Sequence, residues 1–223
     1  MKMKAFAALF LLSGLIVSNL ASSQSLFVGI ESGPAVSKLF GNSILKYSHV
    51  GGLSYYGGIQ GQFQLNSHWS IKGAVSFEIR NSNYLNINVL DSNGMVSQTL
   101  RSYNHMNFIS IPLMARYEFG VSRNFFVNAG PSISCLATYK VKTNINYGTQ
   151  VIDQPKLDNK LEVGLCAGAG YQLNLGKSLR VSAELRNTTG LNSLVNRDKV
   201  IHHGTVQTTT TYLLFGCQYR LAK

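Results

Sequence analysis

Polar and apolar residues alternate with period two along most of this chain. Between positions 69 and 80, Trp69, Ile71, Val75, Phe77 and Ile79 alternate with Ser70, Lys72, Ser76, Glu78 and Arg80. Between 125 and 135, Phe125, Val127, Ala129, Ile133 and Cys135 alternate with Asn128, Gly130, Ser132 and Ser134. A strand turns successive side chains to opposite faces, so each such segment has one oily face and one polar face. The pattern predicts strands over Leu26 to Gly33, Val50 to Leu65, Trp69 to Asn81, Asn107 to Phe119, Asn124 to Thr138, Leu161 to Leu175, Ser178 to Asn187 and Val206 to Leu221. No segment has a helical period, and the expected class is all-β.

The connections alternate in length. Asn66-Ser67-His68, Gly120 to Arg123 and Gly176-Lys177 are short, while Pro34 to His49, Ser82 to Met106, Tyr139 to Lys160 and Thr188 to Thr205 are long. Short turns therefore share one end with both termini, and four long loops share the other. An even number of strands with this arrangement predicts an eight-stranded, antiparallel, up-and-down transmembrane β-barrel, with its short turns on the periplasmic side.

Alternation alone also fits a soluble barrel that turns its charged face to water, and the distribution of charge bears on the choice. All five glutamates, Glu31, Glu78, Glu118, Glu162 and Glu184, fall on the polar face, beside Lys72, Arg80, Arg116, Arg180, Arg186 and Arg220. Acids and bases in near balance, with arginine prevailing, suit mutual pairing in a confined lumen, because a planar guanidinium bridges carboxylates. Eight strands leave an interior just wide enough for side chains, so this cluster is expected to plug the lumen and hold the strands together. On the opposite face, Phe63, Trp69, Tyr117, Phe119, Phe125, Tyr171 and Tyr219 gather near the short-turn end. Ring packing in a soluble core would use the same residues, but an aromatic rim beside an aliphatic band fits a membrane-interface girdle.

The first residues add an address. Lys2 and Lys4 precede the apolar run Ala5 to Val17 and the small residues before Gln24, so residues 1–23 read as a cleaved export signal and residues 24–223 as one barrel domain. Loss of the two leading lysines lowers the formal charge from +11 to +9. Much of that excess lies in the expected outer loops, on Lys38, Lys46, Arg101, Lys140, Lys142, Lys156, Lys160, Arg197 and Lys199. Facing a phosphate-rich outer leaflet, these residues are candidates for contact with outer-membrane lipid and lipopolysaccharide. A net positive charge often marks a nucleic-acid binder, but export and barrel patterning argue against that partner.

Candidate chemistry is sparse. His49, His105, His202 and His203 would lie near the outer rim with Ser48, Ser102 and Ser110, and Glu31, Glu78 and Glu162 are the available orienting carboxylates. No serine and histidine share a strand face at two-residue spacing, so the expectation is a non-enzymatic protein. Cys135, Cys166 and Cys217 sit inside strand patterns and read as small buried residues rather than disulfide partners. No spacing of histidine and cysteine suggests a metal, and no cofactor is expected.

Residues 106–119, Met-Asn-Phe-Ile-Ser-Ile-Pro-Leu-Met-Ala-Arg-Tyr-Glu-Phe, resemble a YLxIPLLxxY strand. That strand is found in the Bacteroidetes outer-membrane β-barrel family often called PorT-like. Phe126 to Pro131, Glu162 to Tyr171 and Glu184 to Leu191 resemble its later strands, so the likeness covers essentially the whole mature chain. It implies an eight-stranded barrel and an outer-membrane address. The PorT-like name suggests service in a protein secretion or assembly machine with envelope partners, while the lumen and loops point to structure or attachment and the rim histidines leave modification of lipid A as a third role.

Overall fold

The computed structural model describes residues 25–41, 49–84, 87–90, 96–145, 148–153, 159–176, 178–195 and 205–222. These residues form ten strands: β1 (Leu26–Phe40), β2 (His49–Gln64), β3 (Trp69–Tyr84), β4 (Ile87–Leu90), β5 (Val96–Phe119), β6 (Phe125–Ile145), β7 (Gly148–Asp153), β8 (Leu161–Leu175), β9 (Leu179–Gly190) and β10 (Gln207–Ala222). Eight of them close a ring in the order β1-β2-β3-β5-β6-β8-β9-β10, with β10 returning to β1. Every pairing is antiparallel. The expected eight-stranded barrel is therefore present.

The remaining strands, β4 and β7, pair with the far ends of β5 and β6 beyond the ring. They turn the β5–β6 hairpin into a four-stranded ribbon, β4-β5-β6-β7, standing above the barrel. This corrects the expected long loops. Pro34 to Phe40 belongs to β1, and most of 96–106 and 139–145 is strand as well. The physical reason is that a ladder can continue above the membrane where both faces meet water. The oily/polar alternation used to detect it then disappears. Proline does not end these strands either: Pro131 leaves only a gap in the β5–β6 ladder between the Pro112–Ser132 and Ala115–Ala129 pairs, where it has no N–H to give.

The short turns are built by local chemistry. Asn66 Oδ1 accepts from the backbone N–H groups of His68 at 2.9 Å and Trp69 at 2.8 Å, closing the β2–β3 turn with a side chain. Gly120 at φ 90° and Gly176 at φ 72° take the left-handed conformations that the next two turns require.

Leu53, Ile30, Ile59, Leu213 and Phe215 lie exposed on the outside of the barrel with many other apolar residues. A continuous apolar surface of this kind needs a nonaqueous surrounding. Near the short turns it carries a run of rings: Trp69–Tyr117 at 4.9 Å, Tyr117–Phe119 at 6.2 Å, Phe119–Phe125 at 5.9 Å and Phe125–Tyr171 at 5.1 Å between centroids. Cys135 and Cys217 also face outward, while Cys166 is buried, and all three are free thiols. Two of the three are thus exposed rather than buried as expected, because their alternation places them on the apolar face.

A filled lumen and an outward basic groove as candidate functional sites

All five glutamates are buried, and ion pairs arrange them in three tiers. In the middle tier, Lys72 from β3 reaches across the lumen to Glu184 on β9 at 2.9 Å and to Glu31 on β1 at 2.7 Å. Arg186 binds the same two carboxylates, at 3.0 Å to Glu31 and 2.5 Å to Glu184, and Tyr56 donates its hydroxyl to Glu31 at 2.6 Å. Two acids thus face two bases.

The outer tier joins Arg80 to Glu78 at 2.7 Å and to Glu162 at 2.6 Å, with hydroxyls of Tyr212 and Thr208 donating to those carboxylates. It carries one carboxylate in excess. In the inner tier, Glu118 meets Arg116 at 3.4 Å and Arg180 at 3.3 Å, and Gln62 donates to it at 2.9 Å. This tier carries one guanidinium in excess.

Each arginine of the tiers also lies over an aromatic ring. Arg80 stacks on Phe108 at 4.4 Å, Arg116 on Phe126 at 3.5 Å, Arg180 on Phe27 at 4.2 Å and Arg186 on Tyr56 at 5.6 Å. Stacking leaves the guanidinium edge free for carboxylates, so a bulky cation is both packed and hydrogen-bonded. Space for this comes from glycine. A Cβ on Gly170 would stand 2.4 Å from the Phe126 ring and 2.3 Å from the Ala183 carbonyl oxygen.

The two ends of the lumen differ. At the long-connection end, Leu39, Met106, Phe108, Leu136 and Leu194 form an apolar plug, with Tyr139 and Val206 packed against it. Leu194 comes from the β9–β10 connection, held by hydrogen bonds from its N–H to Val206 at 2.8 Å and from the Asn159 N–H to its carbonyl at 3.1 Å. Alternation put Phe108 and Leu136 on the lumen face, but Leu39, Met106 and Leu194 fell in the expected loops, so this plug was not foreseen. At the short-turn end lies an open vestibule of about 810 Å³ lined by residues that include Glu118, Arg123, Arg180 and Arg220. Arg220 is half-buried at this mouth, 5.0 Å over Phe27, rather than inside a tier.

The outer surface holds a second feature. Asn107 pairs with Thr138 but Phe108 pairs with Leu136, so Ala137 is an extra residue on β6. Such a bulge shifts the alternation by one. Below it, odd-numbered residues such as Ile133 face out; above it, Lys140 and Lys142 do, opposite His105 and Tyr103 of β5. Strict alternation would have sent both lysines into the lumen.

Leu53 faces outward by the ordinary alternation of β2, and a second bulge, in β2 between Gly51 and Tyr55, interrupts the ladder to β3 beside it; Asn81 Nδ2 caps the Leu53 carbonyl there at 2.6 Å. The Asn81 Oδ1 must then accept, and it stands 2.7 Å from His105 Nδ1, which fixes the proton on Nδ1 and leaves Nε2 as the titrating nitrogen. These residues, with Asn83, Asn104 and Asn107, line a groove of about 530 Å³. Burial, followed by the charges of Lys142 and Lys140, holds His105 below its usual pKa of 6.5.

The expected lipid-contacting residues are thus divided. Lys140 and Lys142 come together in the groove, and by register Lys140 also stands opposite Asp153 of β7. Lys38 lies on β1 rather than in a loop, Arg101 lies on β5, and Lys160 is exposed just before β8. Lys46, Lys156, Arg197 and Lys199 lie outside the described residues.

The serines, histidines and carboxylates weighed as catalytic candidates separate too. Ser110 faces the lumen and bonds Ser134 at 2.8 Å, whereas His105 faces outward on the same strand. Glu31, Glu78 and Glu162 are held in ion pairs, and Ser48, His202 and His203 lie outside the described residues. Among the described residues, no cluster of three or more His, Cys, Asp or Glu side chains could hold a metal ion.

An all-antiparallel closed ring with an apolar exterior, an aromatic girdle and an ionic interior defines an integral membrane β-barrel. Residues 21–196 match the family described as outer membrane protein beta-barrel domain. The chain belongs to that family, and it is an outer-membrane β-barrel protein. No curated protein matches it.

Solved structures with a similar fold include the attachment invasion locus protein Ail of Yersinia pestis in complex with sucrose octasulfate. It is 14% identical, covers 88% of this chain and 99% of its own, and gives a TM-score of 0.44. Neisserial surface protein A is 13% identical over 90% of this chain and 100% of its own, with a TM-score of 0.46. The N-terminal β-barrel domain of Pseudomonas aeruginosa OprF is 16% identical over 89% and 100%, with a TM-score of 0.39.

Proposed function

We propose that this protein is a non-enzymatic surface platform: a closed barrel that anchors the β4-β5-β6-β7 ribbon outside the outer membrane for attachment or assembly. Residues 1–23 serve as the export signal in this reading, and residues 24–223 form the single mature domain. The observation that carries it is the contrast within one pair of strands. Below the rim, β5 and β6 help enclose a lumen that Lys72 bridges from wall to wall, with Arg186 tying β9 to β1 beside it. Above it, they continue as a ribbon with basic residues on its outer face. Energy invested in wall-to-wall ion pairs stiffens a support and obstructs a channel. The same outer residues favour contact with lipopolysaccharide.

Service in a secretion or assembly machine is the second reading, in keeping with the PorT-like resemblance. It draws on β4 and β7, which end the strand order among the described residues and there present edges to which a partner's strand can add.

Membrane fractionation with gel mobility before and after boiling tests the platform, together with conductance in planar bilayers. A heat-modifiable outer-membrane band without single-channel steps is expected, and a soluble periplasmic protein or a steady conductance overturns it. Cross-linking in intact cells separates the two readings, because a defined envelope protein on the β4 or β7 edge favours assembly. A change in lipid A mass on deletion of the gene would replace both with a lipid-modifying enzyme.

A further inference from the structure

We infer that the outward groove between β2, β3, β5 and β6 binds the phosphorylated headgroup of an outer-leaflet glycolipid, with Lys142 and Lys140 on its phosphate. The inference rests on the outer-membrane placement above and gives its lipid contact a specific seat. Three observations converge on it.

The first is height. On β5 the outward residues run Leu113, Ile111 and Ile109, all exposed and apolar, and then change to Asn107, His105 and Tyr103. On β6 the outward face passes from Ile133 and Cys135 to Thr138, Lys140 and Lys142. The groove therefore begins where the hydrocarbon-facing band ends, at the level of a lipid headgroup.

The second is construction. The Ala137 bulge alone brings both lysines to this face, and Asn107 ties across it by donating to Thr138 at 2.8 Å. Lysines two apart on one strand face stand about 7 Å from each other at their Cα atoms, close enough for both ammonium groups to converge on one phosphate.

The third is the mixture of surfaces. Leu53 is 76% exposed at one wall, and Asn81 and Asn83 stand beside it. An acyl chain can lie along the apolar wall while sugar hydroxyls meet the amides. Because Asn81 holds its Nδ1, His105 presents Nε2 as a further polar group. A soluble phosphate uses the lysines alone, whereas a glycolipid uses all three surfaces.

The test uses the full mature chain in detergent micelles, with bisphosphorylated lipid A as the probe and bound lipid counted by native mass spectrometry. Barrels that show the heat-modifiable band are compared as wild type, Lys142→Ala, Lys140→Ala/Lys142→Ala and Lys160→Ala. Lys160 is an exposed lysine outside the groove and serves as the control. Wild type and Lys160→Ala are expected to bind alike, Lys142→Ala several-fold more weakly and the double variant at least tenfold more weakly. Dephosphorylated lipid A is expected to bind wild type as poorly as lipid A binds the double variant.

Equal binding by the double variant overturns the groove as the site. If Lys160→Ala weakens binding instead, the basic surface still meets lipid and only the seat is wrong. If phosphorylated and dephosphorylated lipid bind alike, the lysines do not read the phosphate, and both the groove and the wider basic contact with lipid phosphate fall. Full displacement of lipid A by millimolar inorganic phosphate overturns the glycolipid as ligand and leaves a soluble-phosphate site.

Discussion

The lumen and the groove use the same cations to opposite ends. Inside, Lys72 and Arg186 each touch two carboxylates at distances between 2.5 and 3.1 Å, and almost nothing of them reaches solvent. Outside, Lys140 and Lys142 share a face with asparagines, a histidine and a tyrosine, and both are exposed. A buried cation is tolerated only when its partners come with it, so the inner set is closed to further ligands. An exposed cation keeps its water and can exchange it for an anion. What separates structure from binding here is burial, not residue type: Lys140 stands opposite Asp153 by register, yet both groove lysines stay open to water.

The strongest way to break this comparison is to remove one inner base. Arg186→Leu leaves Glu31 and Glu184 facing each other with Lys72 alone, and should lower the stability of the folded barrel by about 3–5 kcal/mol. The urea midpoint of the heat-modifiable form in detergent reads this, and an unchanged midpoint would mean that the pairing is incidental.

The tiers can next be set against each other. Glu184→Gln leaves two cations on one carboxylate, whereas Glu162→Gln relieves a tier that already holds a carboxylate in excess. The first substitution should cost about 1–2 kcal/mol more than the second, the scale of an unsatisfied buried partner. Equal midpoints for the two variants would sink the division into tiers.

Outside, Lys142→Ala should leave the same midpoint within about 0.5 kcal/mol, as expected of an exposed site. A loss comparable to that of Arg186→Leu would show the groove to be structural.

The smallest effect concerns pH. His105 is half-buried and meets Lys140 and Lys142 from β6, Asn81 and Asn83 from β3, and Tyr103 and Asn107 on its own strand. Its pKa is lowered in the folded protein, so between that value and 6.5 the unfolded chain holds more proton. Its contribution is present above pH 6.5 and is lost as pH falls through the lowered value. Wild type should therefore lose slightly more stability than His105→Asn between pH 7.5 and 5. Bisphosphorylated lipid A should erase that difference, because a bound anion favours the imidazolium.

The barrel was legible in the sequence because the membrane imposes two faces on every spanning strand. Ile109, Ile111 and Leu113 against Ser110, Met114 and Arg116 is such a signature. The inward direction of the glutamates was legible for the same reason. Their tiers were not, since Lys72 meets Glu184 across 112 positions of chain, and alternation fixes a face without choosing partners on the far wall. The ribbon escaped because Tyr103, Asn104 and His105 show no contrast between faces. The groove escaped because a bulge is a count of residues, and Ala137 looks like any other small residue in a strand. The apolar plug escaped because Leu194 enters it from a connection that carries no strand period.

That single extra residue makes β6 a strand with two independent texts. Below Ala137, which side chains face lipid is bound up with the packing of the lumen; above it, the reading frame is reset. A lineage could revise what the protein displays to its surroundings by adding or deleting one residue at this point, exchanging the two faces of β6 above it, while the charges that hold the barrel closed stay where they are.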